Sequence, residues 1–271
     1  MDNLDGRVAV ITGGASGIGR AMAEAMIAQG MQVLIADIEP GQLDRTAADI
    51  GAASMVVDVT SADQVSALAA AALDRFGTVD VLCNNAGIGP MAPLAGLTLN
   101  DWRWMIDVNL WGVIHGITAF LPVLRANPRG GHIVNTASMA GLMPVPGLVP
   151  YCASKYAVIG LSEAMAEDLA VEGSDIGVSI LCPGPVRSNL GTSTRNRPAH
   201  LAGALTDVQL EDSVQFEDQP VNWLSAEDTA QLVIAAIREN RRYVITHPDM
   251  LEPVEARHRA IERSFQTDLQ G

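Results

Sequence analysis

The chain of 271 residues is short of several things, and each shortage excludes a class of function. Cysteine is scarce. Cys83, Cys152 and Cys182 are the only three, with no CxxC spacing and no histidine cluster beside them. That argues against a disulfide framework or a thiolate metal site and leaves small buried hydrophobes in a reducing compartment. The five histidines, at 115, 132, 200, 247 and 258, lack ligand spacing, so no metal is expected. Positive charge is scarce too. Against 31 Asp plus Glu stand 17 Lys plus Arg, for a net charge of −14. The densest basic stretches, "RENRR" (238–242) and "EARHRAIER" (255–263), are short or diluted by glutamate. A nucleic-acid partner is therefore not expected, and the acidity gives a well-solvated surface. No continuous apolar run reaches the roughly 18–20 residues of a membrane span. No basic-then-apolar leader stands before the first strand. A cytoplasmic protein without membrane contact is expected. Linkers, repeats of fixed period and low-complexity tracts are missing as well. One domain over 1–271 remains, 48% hydrophobic and 18% charged, long enough to bury a core.

What is present is an alternation. Short β-branched runs read as strands at 7–14, 31–37, 53–60, 79–87, 131–138 and 177–186, with 241–248 as a seventh. Ala-rich runs between them read as helices at 18–30, 41–51, 61–77, 99–127 and 151–173. Gly30 and Gly51 stop the first two, Ser61 caps the third, and Pro122 falls near the end of the fourth. Strands apolar on both faces and joined by helices imply an α/β protein. The expected fold is a single-domain Rossmann fold, a doubly wound parallel sheet of about seven strands with helices on both faces. The tail at 252–265 reads as an amphipathic helix.

"TGGASGIG" (Thr12–Gly19) follows a strand and opens a helix, the context of a loop that cradles a pyrophosphate at a helix N-terminus. Its glycines are spaced TGxxxGxG. Asp37 ends the second strand 18 residues after Gly19, where a carboxylate can accept from an adenosine ribose and repel a 2′-phosphate. Asp58, in "VVDVT", can meet an adenine amino group or close a turn. "NNAG" (84–87) supplies small residues at the carboxyl end of the fourth strand. "YCASK" (151–155) places a tyrosine and a lysine at i and i+4, on one helix face. A phenol with a reference pKa of about 10 is a poor base at neutral pH, and a cation beside it favours the phenolate.

TGxxxGxG, Asp37, NNAG, the Asn of "IDVNLWG", the Ser of "NTASMAG", YxxxK and "PGPV" occur in that order. The chain thereby resembles the short-chain dehydrogenase/reductase family, closely over about 4–190 and more loosely beyond. The resemblance implies hydride transfer between NAD(H) and an alcohol or ketone. It implies Tyr151 as general acid/base, Lys155 lowering its pKa and holding the nicotinamide ribose, Ser138 bonding the substrate oxygen, and Asn109 holding a relay water. The cofactor would be bound by Gly13, Ser16, Gly17, Ile18, Gly19, Asp37, Ile38, Asp58, Val59, Asn85, Ala86, Gly87, Tyr151, Lys155, Pro183, Gly184, Val186 and Ser188. Asp37, with no Arg or Lys in the glycine loop, favours NAD over NADP. The resemblance also implies a homotetramer or homodimer.

The polar segment at about 188–225, with Arg195 and Arg197, reads as a substrate lid. Met139, Leu142, Met143, Val145 and Leu148 read as an apolar wall suited to a hydrophobic secondary alcohol. The later half is similar to bacterial benzylic alcohol dehydrogenases of lignin aryl-ether catabolism, which suggests an aryl-substituted substrate. Steroid or alicyclic alcohols, an NADP-dependent ketone reductase and a non-catalytic NAD-binding regulator are the alternatives.

Overall fold

In the computed structural model of the chain, residues 1–208 and 222–265 are described. Seven strands form one parallel sheet: β1 (Val8–Thr12), β2 (Gln32–Asp37), β3 (Ala53–Val56), β4 (Val81–Asn84), β5 (Gly131–Thr136), β6 (Ile176–Cys182) and β7 (Tyr243–Ile245). The order across the sheet is β3-β2-β1-β4-β5-β6-β7. The chain reverses its direction of winding between β3 and β4, so the carboxyl ends of β1 and β4 open a crevice for a ligand. The expected Rossmann fold is what forms.

Each strand of "VAVIT" type is buried on both faces, and successive side chains feed opposite cores. Ile11 joins Met22, Met26, Val233 and Ile237 under α1 (Gly17–Ala28) and a helix near the C-terminus, residues 226–239. Its neighbour Val10 joins Leu68, Phe120 and Leu124 on the other side. Helix boundaries follow local chemistry. α2 (Pro40–Ile50) starts with proline in its first turn and stops at left-handed Gly51 (φ 71°). α3 (Ala62–Phe76) is capped by Ser61, as expected.

The run expected as one helix over 99–127 is three pieces. α4 (Leu99–Ile106) starts with a capping box, Thr98 with Asp101. A π-turn follows at Asp107–Trp111, then α5 (Gly112–Ala126). The extra residue of the π-turn rotates Asn109 into the protein, where it is fully buried. Taken as one run, Leu99–Ala126 is long and apolar enough to cross a membrane by length and composition, with mean hydropathy 1.3. Three of its charged residues, Asp101, Arg103 and Asp107, fall in its first nine residues.

β3 ends at Val56, so Asp58 stands two residues past it. α6 (Val149–Val171) carries Tyr151 and Lys155, α7 is Ala226–Glu239, and α8 (Leu251–Ser264) is the expected tail helix. Of the segment 188–225, residues 190–196 and 199–201 form short 3-10 turns, and 209–221 lie outside the described residues.

Candidate active site

The carboxyl ends of β1, β4, β5 and β6 open into one cleft of about 960 Å³. Asp37 and Asp58 line one end, Tyr151 and Lys155 the middle, and Trp104, Met143 and Leu201 the far end.

Tyr151 and Lys155 come from the first turns of α6 and are 7% and 3% exposed. Lys155 Nζ lies 5.6 Å from the centroid of the Tyr151 ring and donates to the carbonyl of Thr136 at 2.9 Å. It pairs with no carboxylate among the described residues. Burial pulls its ammonium down to about 8. Burial likewise pushes the Tyr151 phenol up to about 12, and a hydrogen bond with Ser138 pulls it the other way.

Ser138 sits just past β5. Its Oγ accepts from Ala140 N (3.1 Å), capping a 3-10 turn, and donates to Pro183 O (3.3 Å). The capping role and the place beside the phenol are both real, and one hydroxyl serves both. Asn109 bonds the backbone of Ile88 through both ends of its carboxamide. Oδ1 accepts from Ile88 N (2.8 Å) and Nδ2 donates to Ile88 O (2.9 Å). The side chain thereby clamps the backbone after "NNAG". It still stands near the lysine: a Cβ added at Gly87 would lie 3.3 Å from Asn109 Oδ1 and 3.6 Å from Lys155 Nζ.

At the other end the glycine loop packs backbone on backbone. A Cβ on Gly13 would come within 2.8 Å of Ala86 Cα, and one on Gly19 within 2.1 Å of Gly13 O. Asn85 ties this loop to β5. Its Nδ2 donates to Thr12 O (3.1 Å), and its Oδ1 accepts from Thr136 Oγ1 (3.2 Å). Asp37 accepts one backbone N–H on each oxygen, Ala15 at 3.0 Å and Glu39 at 3.2 Å. Each oxygen keeps acceptor capacity toward the cleft. Burial raises the Asp37 carboxyl above its ordinary value, and these N–H donors pull it back. Asp58 closes a turn, accepting from Thr60 N (2.9 Å) and Thr60 Oγ1 (2.8 Å), while also lining the cleft beside Val59. Ser16, Ile18, Ile38, Ala86, Pro183, Gly184 and Val186 line it as well, and Ser188 lies over Gly17.

These residues fit a dinucleotide. The loop excludes any side chain where a pyrophosphate would rest, and one cleft links the Asp37 carboxylate to the Tyr151 hydroxyl.

A model of the short chain dehydrogenases matches residues 7–199. The chain belongs to that family. As a short-chain dehydrogenase it is an oxidoreductase acting on alcohols. It is 40% identical to a short-chain dehydrogenase/reductase from Burkholderia phymatum solved in complex with NAD, with a TM-score of 0.88 over 100% of this chain and 99% of that one. It is 32% identical to the C alpha-dehydrogenase of a Sphingobium species, over 96% of this chain and 87% of that protein. It is 35% identical to the 1-deoxy-11-beta-hydroxypentalenate dehydrogenase of Streptomyces arenae, over 90% and 83%.

Several residues of the dehydrogenase's cleft escape sequence reading. Trp104, 2% exposed, packs in one cluster with Tyr151, Ile88, Leu201 and Leu205. Arg197 lies over its ring at 5.0 Å and pairs with fully buried Asp101 at 2.7 Å. Asp101 also accepts from Thr98, Ala204 and Leu205, which ties residues 197–205 to α4. Thr246 Oγ1 accepts from Gly184 N (2.9 Å), fixing the "PGPV" loop from 62 residues away. Of the expected apolar wall, Met139, Met143, Val145 and Leu148 line the cleft, whereas Leu142 packs into a separate cluster with Val158 and Ile159. One signal is countable: Lys155 is the only lysine in the chain. No group of three His, Cys, Asp or Glu side chains capable of holding a metal occurs among the described residues.

Proposed function

We propose that the chain transfers a hydride between NAD(H) and a hydrophobic secondary alcohol or ketone, with Tyr151 as the general acid/base. The single observation that carries this reading is the pairing of a buried phenol with a buried ammonium at the midpoint of the dinucleotide-sized cleft. NAD, when bound, supplies the hydride acceptor. Gly13, Ser16, Gly17, Ile18 and Gly19 would hold its pyrophosphate. Asp37 and Ile38 would hold the adenosine ribose, and Asp58 and Val59 the adenine. Asn85, Ala86, Gly87, Lys155, Pro183, Gly184, Val186 and Ser188 would hold the nicotinamide half.

The chain's own groups do the rest. Ser138 Oγ donates to the substrate oxygen and fixes it against the Tyr151 hydroxyl. Tyr151, as the phenolate, takes the hydroxyl proton as the carbinol C–H bond breaks and ends as the neutral phenol. Lys155 stabilises the phenolate that must form before that transfer, and its ammonium gains an anionic partner there. With Asn109 clamping Ile88, the segment after "NNAG" stays beside Lys155. Residues 188–208 and Trp104 cover the far end, and Leu190, Leu201, Met143 and Val145 exclude water there. The apolar wall of Met139, Met143, Val145 and Leu148 suits an aryl or alicyclic carbinol. The Sphingobium and Streptomyces relatives support those two classes respectively. The reading places the enzyme in the cytoplasm.

The test is NADH production across aryl, alicyclic and steroid secondary alcohols, repeated with NADP, for wild type and Tyr151→Phe. Turnover with NAD and a fall of about 10²–10⁴-fold in the variant, with NADH still bound, is the expected result. A variant that keeps a tenth of the rate, on the order of a loss too small for a general acid/base, removes Tyr151 from that role.

A further inference from the structure

The cleft carries a fastening that this reaction does not use. Glu39, two residues beyond Asp37, receives three donors on one oxygen, Oε1. Arg195 gives Nε at 3.0 Å and a terminal nitrogen at 2.6 Å, and Asn196 gives Nδ2 at 2.9 Å. These partners are more than 150 residues apart in the chain. Glu39 precedes α2 yet makes no capping bond with its side chain, so the helix does not account for it. The second terminal nitrogen of Arg195 donates to Thr192 O at 2.6 Å, which leaves the guanidinium engaged on both sides. Glu39, Thr192, Arg195 and Asn196 all line the cleft. The amide of Glu39 donates to Asp37 Oδ1, so the pair sits at the ribose end.

Arg187 also lines the cleft, but its guanidinium lies over Trp223 at 5.3 Å. Arg20 is bonded to Glu24 and Arg45 to Gln42, and neither lines the cleft. Arg195 is thus the cleft guanidinium bonded to the segment that follows Asp37, and its charge is met by Glu39.

We propose that Glu39 is a second determinant of cofactor choice: by engaging Arg195 it withholds from the ribose end the cation that could meet a 2′-phosphate. The inference rests on the reading of Asp37 as the ribose carboxylate. Asp37 would repel the phosphate, and Glu39 would deny it a partner. The pair is about one-third exposed on each side, so the effect is screened by salt and is best read at low ionic strength.

The experiment is a binding titration of the full chain with NADH and with NADPH, followed by cofactor fluorescence, for wild type, Glu39→Gln, Arg195→Gln and the double variant. Glu39→Gln removes the charge and keeps the shape. It is expected to shift the NADH/NADPH affinity ratio toward NADPH by about tenfold, the effect of exposing one cation to a phosphate. The double variant is expected to return to the wild-type ratio. A ratio in Glu39→Gln within about twofold of wild type overturns the proposal, as does a gain that survives in the double variant. A wild type that binds both cofactors equally overturns the Asp37 reading instead, and the shift between variants still decides the part of Glu39.

Discussion

Around Gly13 and Gly19 the contacts that shape the cleft run mostly from backbone to backbone, with the Asn85 carboxamide beside them and no room for a methyl group. Around Trp104 they run between side chains: Asp101 gathers Arg197, Ala204 and Leu205 from about a hundred residues away, and Arg197 covers the indole. The first end is fixed by local turns on a rigid sheet, the second by a buried charge reaching across the chain. A backbone cradle suits a ligand whose phosphates are always the same. A side-chain framework can change shape with few substitutions, which suits the end that reads the alcohol.

The sharpest way to break this contrast is at Asp101. Its carboxylate is fully buried and holds five donors, which keep it well below the ordinary carboxylate range despite the cost of burial. Asp101→Leu strands Arg197 and the N–H groups of Ala204 and Leu205. It is expected to cost about 3–5 kcal/mol by denaturant unfolding, the range for breaking a buried ion pair. The sign with pH follows. A depressed carboxyl contributes stability above its unfolded value that is lost as pH falls through the folded one. The wild type should therefore lose more stability on acidification than the variant. An Asp101→Leu protein as stable as wild type would show that the framework at 197–205 stands without its post.

Gly19→Ala tests the other end. The added Cβ would lie 2.1 Å from Gly13 O and 2.7 Å from Asn85 Nδ2, both parts of the cradle itself. Overpacking of this kind costs about 1–3 kcal/mol. NADH affinity should fall about 10- to 100-fold, since each 1.4 kcal/mol is tenfold in affinity. The near-ultraviolet signal of Trp104 should stay as in wild type. Loss of both together would mean that the two ends are not independent.

The contrast also explains which parts of the molecule are legible in the residues alone. Spaced glycines, Asp37 and YxxxK are local patterns with fixed offsets, so the order of residues suffices to place β1, α1, β2 and the head of α6. It does not suffice for the break of 99–127, because nothing in "WMIDVNLWG" announces a π-turn. The cause of that break is the burial of Asn109 against Ile88, a contact made across 21 residues. Nothing in "DIEPG" marks Glu39 as the partner of Arg195, which arrives from 156 residues away. Leu142 reads as part of the wall by its apolar neighbours, but it packs against Val158 and Ile159 and does not line the cleft. Hydrogen bonds between distant residues leave no period to count.

The smallest effect to look for lies at the seam between the two ends. Because Lys155 is the only lysine, protein grown with isotope-labelled lysine gives a single side-chain signal in NMR. Its midpoint should fall near 8 rather than at the ordinary 10.5, because burial disfavours the ammonium. Between those values the unfolded chain carries a proton that the native chain lacks, so this group makes stability rise with pH over that window. Tyr151 acts in the opposite sense. Its phenol is held protonated from the ordinary 10.0 up to about 12, so it makes stability fall with pH over that range. Adding NADH tests the proposed ribose contact directly, since a hydrogen-bond acceptor brought to Nζ favours the charged form and should move the midpoint upward. A midpoint that starts near 10.5 would mean that Nζ is hydrated in solution. One that ignores NADH would take Lys155 out of the cofactor site and leave it as a brace between α6 and Thr136.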